Sequence, residues 1–145
     1  MTNSLALDYS EQCPTAIVSL NNGAFESQGH LQGVYHINGT HTWTSVSHAI
    51  WYHSEYDIWL IGSKEDIGTT ICGIYAYDNN GGLDDANNEW TYYNGSNWTP
   101  AAANDIIINC TSNYFGTTAD PGSTTSPSGI MQKATKIQQK VKLFG

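Results

Sequence analysis

Arginine is absent from this chain of 145 residues, and positive charge is scarce. Of the five lysines, only Lys64 precedes residue 130, whereas all 13 carboxylates lie at or before Asp120. Residues 1–129 therefore carry 13 − 1 = 12 net negative charges, and residues 130–145 carry four positive ones. Because an acidic body repels nucleic acid and anionic membranes, we expect no nucleic-acid partner for it.

Long apolar runs and known catalytic motifs are missing as well. No run approaches the ~18 apolar residues of a membrane span, so we expect none. Residues 1–8 have neither a basic nor a long apolar segment, so they do not resemble a secretion signal. The chain has no G-x-S-x-G, phosphate-loop or H-E-x-x-H motif, and we expect a protein that is not an enzyme.

Aromatic residues are abundant, with 5 Trp and 9 Tyr, and they lie in short apolar runs. Residues 50–53 and 58–62 are two such runs, separated by four polar residues, which is typical of a β-hairpin. Asn-Gly pairs at 38–39 and 94–95 predict two further hairpins, and Asn21-Asn22-Gly23 predicts a turn. About eight short strands with frequent turns predict an all-β fold, a small antiparallel sandwich or barrel.

Composition divides the chain into four parts. Residues 1–12 form a polar lead-in, 13–110 a β domain, 111–129 a linker rich in Thr, Ser, Gly and Pro, and 130–145 a basic amphipathic tail. The tail has one apolar stripe at helical spacing, which needs a surface to lie on: Ile130, Ala134, Ile137, Val141 and Phe144. Residues 141–143 also alternate, so an edge strand is an open alternative.

Scattered motifs in residues 13–110 carry a family resemblance. They are Cys13-Pro14, Gly33-Val34-Tyr35, Asn38-Gly39, the Trp59-Leu60-Ile61-Gly62 run, and Trp98 before Ile108-Asn109-Cys110. The pattern resembles a poorly characterised module of about 100 residues, rich in Cys, Trp and Tyr, in extracellular proteins of algae, other protists and marine invertebrates. The resemblance implies an extracellular, non-catalytic module.

The cysteines have two interpretations. The resemblance favours a disulfide between Cys13 and Cys110, which would join the first strand to the last; the alternative is three reduced thiols in a cytosolic protein. We expect Cys72 to be a small buried residue rather than a reactive thiol, because only Lys64 among the cations of the body could lower its pKa.

Asparagine supplies candidate glycosylation sites. Sequons begin at Asn38, Asn94, Asn97 and Asn109, and the first three are our candidates, since Asn109 lies within a predicted strand. Sequons of this number are compatible with secretion and also close to the number expected by chance.

The loop after the Cys72 strand resembles a calcium loop in its oxygen ligands, which are Asp78, Asn80, Asp84, Asp85 and Glu89. Its sixth position is Leu83 instead of the glycine of an EF-hand, so a solvated loop is the favoured interpretation. We expect no other cofactor.

Aromatic residues around the third hairpin are candidates for ligand binding. Trp90, Tyr92 and Trp98, with Asn94 beside them, would suit a sugar ring if they lie on the surface; the alternative is that they fill the core.

These features together predict a non-catalytic extracellular module for adhesion or self-assembly, whose partner is itself or another extracellular protein. In this hypothesis the basic tail docks on a neighbouring acidic domain, steered by opposite charge; the alternatives are that it folds back on its own domain or is disordered. A carbohydrate-binding module is the alternative function. We expect an extracellular or cell-surface location with the secretion signal outside this chain, and the sequence leaves a cytoplasmic location open.

Overall fold

The computed structural model describes residues 13–79, 82–111 and 140–144. The predicted lead-in, the linker beyond Thr111, and Ile130, Ala134 and Ile137 of the apolar stripe lie outside these residues. The described residues form one helix and eleven strands: β1 (Thr15–Leu20), α1 (Asn22–Gln28), β2 (Gly33–Ile37), β3 (Thr42–Thr44), β4 (His48–His53), β5 (Ile58–Ser63), β6 (Ile71–Cys72), β7 (Ile74–Tyr77), β8 (Thr91–Tyr93), β9 (Trp98–Pro100), β10 (Ile106–Thr111) and β11 (Val141–Lys142). Short 3-10 turns cover Gly29–Leu31 and Lys64–Asp66.

Nine strands form a single antiparallel sheet in the order β10-β1-β2-β3-β4-β5-β7-β8-β9. The sheet curls into a half-barrel, and β6 and β11 form a separate two-stranded ladder. This architecture confirms the all-β prediction. Most neighbours in the sheet are also consecutive in the chain; the exceptions are β10, which pairs with β1, and β7, which pairs with β5.

The central hairpin joins β4 and β5 in the register Trp51↔Leu60 and Tyr52↔Trp59. Side chains alternate between the two faces of a strand, so neighbouring residues in the hairpin enter different clusters. Ile50, Trp59 and Ile61 belong to one cluster, whereas Trp51 and Leu60 belong to a second cluster on the opposite face of the sheet. We call the face of the first cluster, which also contains Ala24 of α1, the inner face and the other the outer face. Both faces of this hairpin are therefore buried.

The inner-face cluster is the larger of the two and contains Trp43, Trp59, Tyr35 and Leu31, all less than 2% exposed. The ring centroids of Trp43 and Trp59 are 5.9 Å apart. The outer-face cluster consists of Ala49, Trp51, Ile58, Leu60 and Cys72, with partly buried neighbours packed against it.

The turn predicted at Asn21-Asn22-Gly23 is wrong, because this stretch begins α1. Asn22 does have the positive φ (51°) that such turns favour. The chain nevertheless continues as a helix, since Ala24 and Gln28 bury their side chains and the Gln28 amide donates a hydrogen bond of 2.8 Å to the Tyr93 carbonyl.

A disulfide joins Cys13 to Cys110, as the resemblance implied. It lies where β1 pairs with β10, and the Trp43 indole N–H donates to the Cys13 carbonyl at 2.6 Å. Within the described residues, no helix has the length and apolar character needed to cross a membrane.

Candidate functional site

The most distinctive surface of the molecule receives residues 140–144, here called the tail segment. Val141 pairs with Cys72 and Lys142 with Ile71, which makes the tail segment the antiparallel partner of β6. The Leu143 N–H extends this ladder by donating to the Thr70 carbonyl at 2.8 Å. The backbone of the tail segment is therefore held by hydrogen bonds from a part of the chain about 70 residues away.

Charge fixes one end of the tail segment. The Lys140 ammonium lies 2.7 Å from Asp66 Oδ2 and 3.2 Å from Glu65 Oε2, and it also donates to Ser63 Oγ at 3.3 Å. Partial burial lowers the pKa of Lys140, but the hydrogen bonds to Asp66 and Glu65 and the charges of both carboxylates outweigh it. The pKa therefore lies above its usual value.

Aromatic stacking fixes the other end. The Phe144 ring stacks on Tyr56 with centroids 4.0 Å apart and planes 18° apart. Leu143 and Phe144 both pack against the outer-face cluster. We call β6 together with Tyr56, Glu65 and Asp66 the acceptor surface, because these groups together bind the tail segment.

The helical interpretation of the tail is wrong for Val141, which lies in strand β11. The edge-strand alternative is correct for residues 141–142, which pair with β6. Pairing with β6 satisfies the backbone hydrogen bonds of these residues, whereas a short isolated helix has little stability in water. Phe144 does lie against an apolar surface, as the stripe predicted, and this surface is on the chain's own domain.

The predicted sugar-binding set does not form a surface. Trp90 and Tyr92 are 7% and 8% exposed and belong to the inner-face cluster, so placing them on a platform was wrong. Alternation along β8 sends Tyr92 inward, which the sequence could not distinguish from outward. Asn94 does not contact a ligand surface either; its side chain accepts hydrogen bonds from the Ser96 and Asn97 N–H groups and thereby shapes the turn.

Trp98 belongs to a different aromatic group, on the outer face. Its ring makes edge contacts with Tyr75 and Tyr93, at centroid distances of 5.0 and 5.4 Å. Tyr75 in turn contacts Tyr77 edge-on at 6.0 Å, and Tyr77 is 56% exposed. Burial raises the pKa of the Tyr75 phenol.

A cleft of about 1000 Å³ lies beside Tyr75 and Tyr77. Its other walls come from the loop before β8 and from β10, the strand at one edge of the half-barrel. The loop contributes the side chains of Asn87 and Asn88. The cleft is thus lined by both aromatic and amide groups.

The predicted calcium ligands do not gather into a site in the described part of the chain. Among those residues there is no group of three or more His, Cys, Asp or Glu side chains that could hold a metal. Asp78 accepts the Trp59 indole N–H at 2.9 Å, and Asp85 accepts the Asn87 N–H. Asn80 lies outside the described residues, while Asp84 and Glu89 are exposed.

The three candidate glycosylation residues are all exposed, but their side chains differ in what they contact. The Asn94 amide donates to Thr99 Oγ1 at 2.9 Å, and the Asn38 amide to Thr44 Oγ1 at 3.3 Å. The Asn97 side chain makes no hydrogen bond with any described residue. Glycosylation at any of them stays a prediction.

Comparison with known proteins gives no match: no family model fits the chain, and no curated protein and no solved structure is significantly similar to it.

Sequence reasoning missed the residues that bind the tail segment. Tyr56 was part of a hairpin loop, and Glu65 and Asp66 were part of a charged loop. The available signal was charge: the carboxylates belong to an acidic body, and Lys140 belongs to a basic tail. That signal predicts attraction in general and does not identify the residues that meet.

Proposed function

We propose that this protein is a non-catalytic extracellular β module that assembles with copies of itself by exchanging the tail segment. In the assembly, the tail segment of one chain occupies the acceptor surface of the next, with the contacts described above. The observation that carries the proposal is the fit of the tail segment to the acceptor surface by a strand ladder, an ion pair and a stacked ring.

Chain length supports exchange. Between Thr111 and Lys140 there are 139 − 111 = 28 residues. Fully extended, a segment of that length reaches about 90–100 Å, several times the ~13 Å radius of gyration of a domain of this size. The tail segment can thus reach either its own acceptor surface or that of a neighbour, and the contacts are the same in both cases.

Concentration decides between the two arrangements. A connected segment has an effective concentration on the order of mM, and a longer connection lowers it. Exchange between chains therefore requires local concentrations of that order, such as those in a surface layer or a matrix. Self-assembly is favoured over adhesion to a different protein because the acceptor surface already fits a segment of this chain.

An extracellular location is part of the proposal. Its support is the Cys13–Cys110 disulfide, because disulfides persist in oxidising compartments, together with the resemblance to an extracellular module.

A charge exchange between two chains tests the proposal. The Lys140→Glu chain repels its own Glu65 and Asp66, and the Glu65→Lys/Asp66→Lys chain repels its own Lys140. When the two are mixed, the tail segment of the first chain fits the acceptor surface of the second. We expect each variant alone to be monomeric and the equimolar mixture to form a 1:1 complex by light scattering, and we expect salt to weaken it.

The matched control is Lys142→Glu, which makes the same change of charge at an exposed position of the same tail segment. Mixed with the Glu65→Lys/Asp66→Lys chain, it should form no complex. The wild-type chain should form larger species as its concentration approaches the mM range, and a chain lacking residues 140–145 should not. If the charge-exchanged mixture and the concentrated wild-type chain both stay monomeric, the assembly proposal is wrong.

A further inference from the structure

The cleft beside Tyr75 and Tyr77 has the two kinds of wall that a sugar requires. Tyr77 is 56% exposed, and Tyr75 is partly exposed behind it. Exposed aromatic rings bind the C–H faces of pyranose rings by apolar contact, and a cleft of about 1000 Å³ has room for several of them.

The polar lining of the cleft includes both hydrogen-bond donors and acceptors. The Asn87 side chain is exposed and makes no hydrogen bond with the described residues, so its amide can donate and accept. Asn88 is more than nine-tenths buried; its amide donates to the Gly82 and Leu83 carbonyls, while its Oδ1 atom has no partner. A buried acceptor without a partner is costly, but the atom is buried, so a ligand donor would reach it only if the loop shifted.

Charge limits the class of ligand. Among the described residues that line the cleft there is no lysine, whereas Asp84 and Asp85 do line it, so an anionic ligand would be repelled. A lysine-rich peptide would also suit these carboxylates, so its binding is one outcome of the experiment below. A hydroxyl group both donates and accepts, so it suits carboxylates and amides together.

We propose that this cleft binds a neutral polysaccharide, whose sugar rings pack on Tyr77 and Tyr75 and whose hydroxyl groups bond to the exposed Asn87 amide. Of the residues predicted from the sequence for sugar binding, Trp90 lines this cleft but is buried, and Trp98 contacts Tyr75 from outside its lining. It lies outside the acceptor surface, so the proposal is independent of self-assembly.

The experiment is affinity electrophoresis of the native full-length protein in gels that contain hydroxyethylcellulose, xyloglucan, galactomannan or laminarin, all neutral. We expect retardation by at least one of them. Tyr77→Ala, which removes an exposed ring, should weaken that retardation at least tenfold, and Asn87→Leu should weaken it at least threefold.

Matched controls are available for both variants. Val46→Ala removes a side chain that is 92% exposed at a distant loop, and Asn97→Leu removes an exposed amide on another hairpin. Both should be retarded like the wild type, and circular dichroism should show all four variants folded. Retardation by none of the four polysaccharides, or retardation that Tyr77→Ala and Asn87→Leu leave unchanged, would overturn the proposal, as would retardation only by anionic alginate or binding only to a lysine-rich peptide.

Discussion

The two faces of the sheet differ in how they are covered. All members of the inner-face cluster lie within residues 13–110, among them Ala24 of α1 and the disulfide-bonded Cys13. Part of the outer-face cluster is covered by Leu143 and Phe144 of the tail segment, and part by the partly exposed rings of Tyr75 and Trp98.

Because of this difference, we expect the inner face to contribute mainly to stability and the outer face mainly to interaction. A cluster sealed by the domain's own strands stays buried in any assembly. A cluster covered by a segment from beyond residue 139 can receive the same cover from another copy, and the rings beside it remain accessible to a ligand. We therefore expect mutations on the inner face to affect folding and mutations on the outer face to affect binding.

The largest expected effect on the free energy of unfolding comes from replacing tryptophan by alanine, and we compare this substitution on the two faces. Trp43→Ala opens a cavity in the inner-face cluster, which costs about 3–5 kcal/mol, and leaves the buried Cys13 carbonyl without its donor, which costs about 1–3 kcal/mol more. Trp98→Ala removes a partly exposed ring and should cost no more than about 2 kcal/mol. Urea denaturation measures both free energies of unfolding. Equal costs would contradict the distinction between the faces.

The second prediction compares cysteines of the two faces. The disulfide closes a loop across a sequence separation of 97, and its removal by Cys13→Ala/Cys110→Ala should cost about 2–4 kcal/mol. Cys72→Ala alters the outer-face cluster and should cost about 1 kcal/mol. Urea denaturation with and without reductant separates the two: reductant should destabilise the Cys72→Ala chain and leave the double variant unchanged. A double variant as stable as the wild type would show that the disulfide does not stabilise the inner face.

Much of this fold follows from local sequence signals. The Asn38-Gly39 turn lies between β2 and β3 with Gly39 at a φ of 103°, and β4 and β5 pair across the four-residue connection that the apolar runs predicted. Hairpins are predictable because the turn residues and the alternation of both strands lie within about fifteen residues of one another.

The predictions that were wrong concern features that depend on distant parts of the chain. The strand at Val141–Lys142 exists because β6, about 70 residues earlier, lies beside it, and no local pattern contains that information. The inward position of Tyr92 depends on which face of the half-barrel closes on the core. The period-2 pattern shows that Tyr92 and Tyr93 point to opposite faces, but it cannot show which face is the inside.

The smallest expected effect tests the charge that fixes the tail segment to the outer face. Lys140→Gln keeps a polar side chain and removes its charge. It should lower the free energy of unfolding by about 1–2 kcal/mol at pH 7, because Asp66, whose side chain is only 13% exposed, loses its ionic partner. Lys142→Gln, at an exposed position of the same tail segment, should cost nothing measurable.

The pKa of Lys140 in the folded chain lies above its unfolded value, so the contribution of its charge is fully present below the unfolded pKa of about 10.4 and is lost as pH rises through the folded pKa. The measurement is the difference in free energy of unfolding between wild type and Lys140→Gln, taken from pH 7 to pH 11.5. Groups that titrate equally in both chains, including the tyrosines, cancel in this difference. It should stay constant up to about pH 10 and then decrease. A difference that is absent at pH 7, or one that Lys142→Gln reproduces, would mean that the ion pair with Asp66 does not hold the tail segment, and the contact would then depend on the β6 ladder and on the stacking of Phe144 on Tyr56.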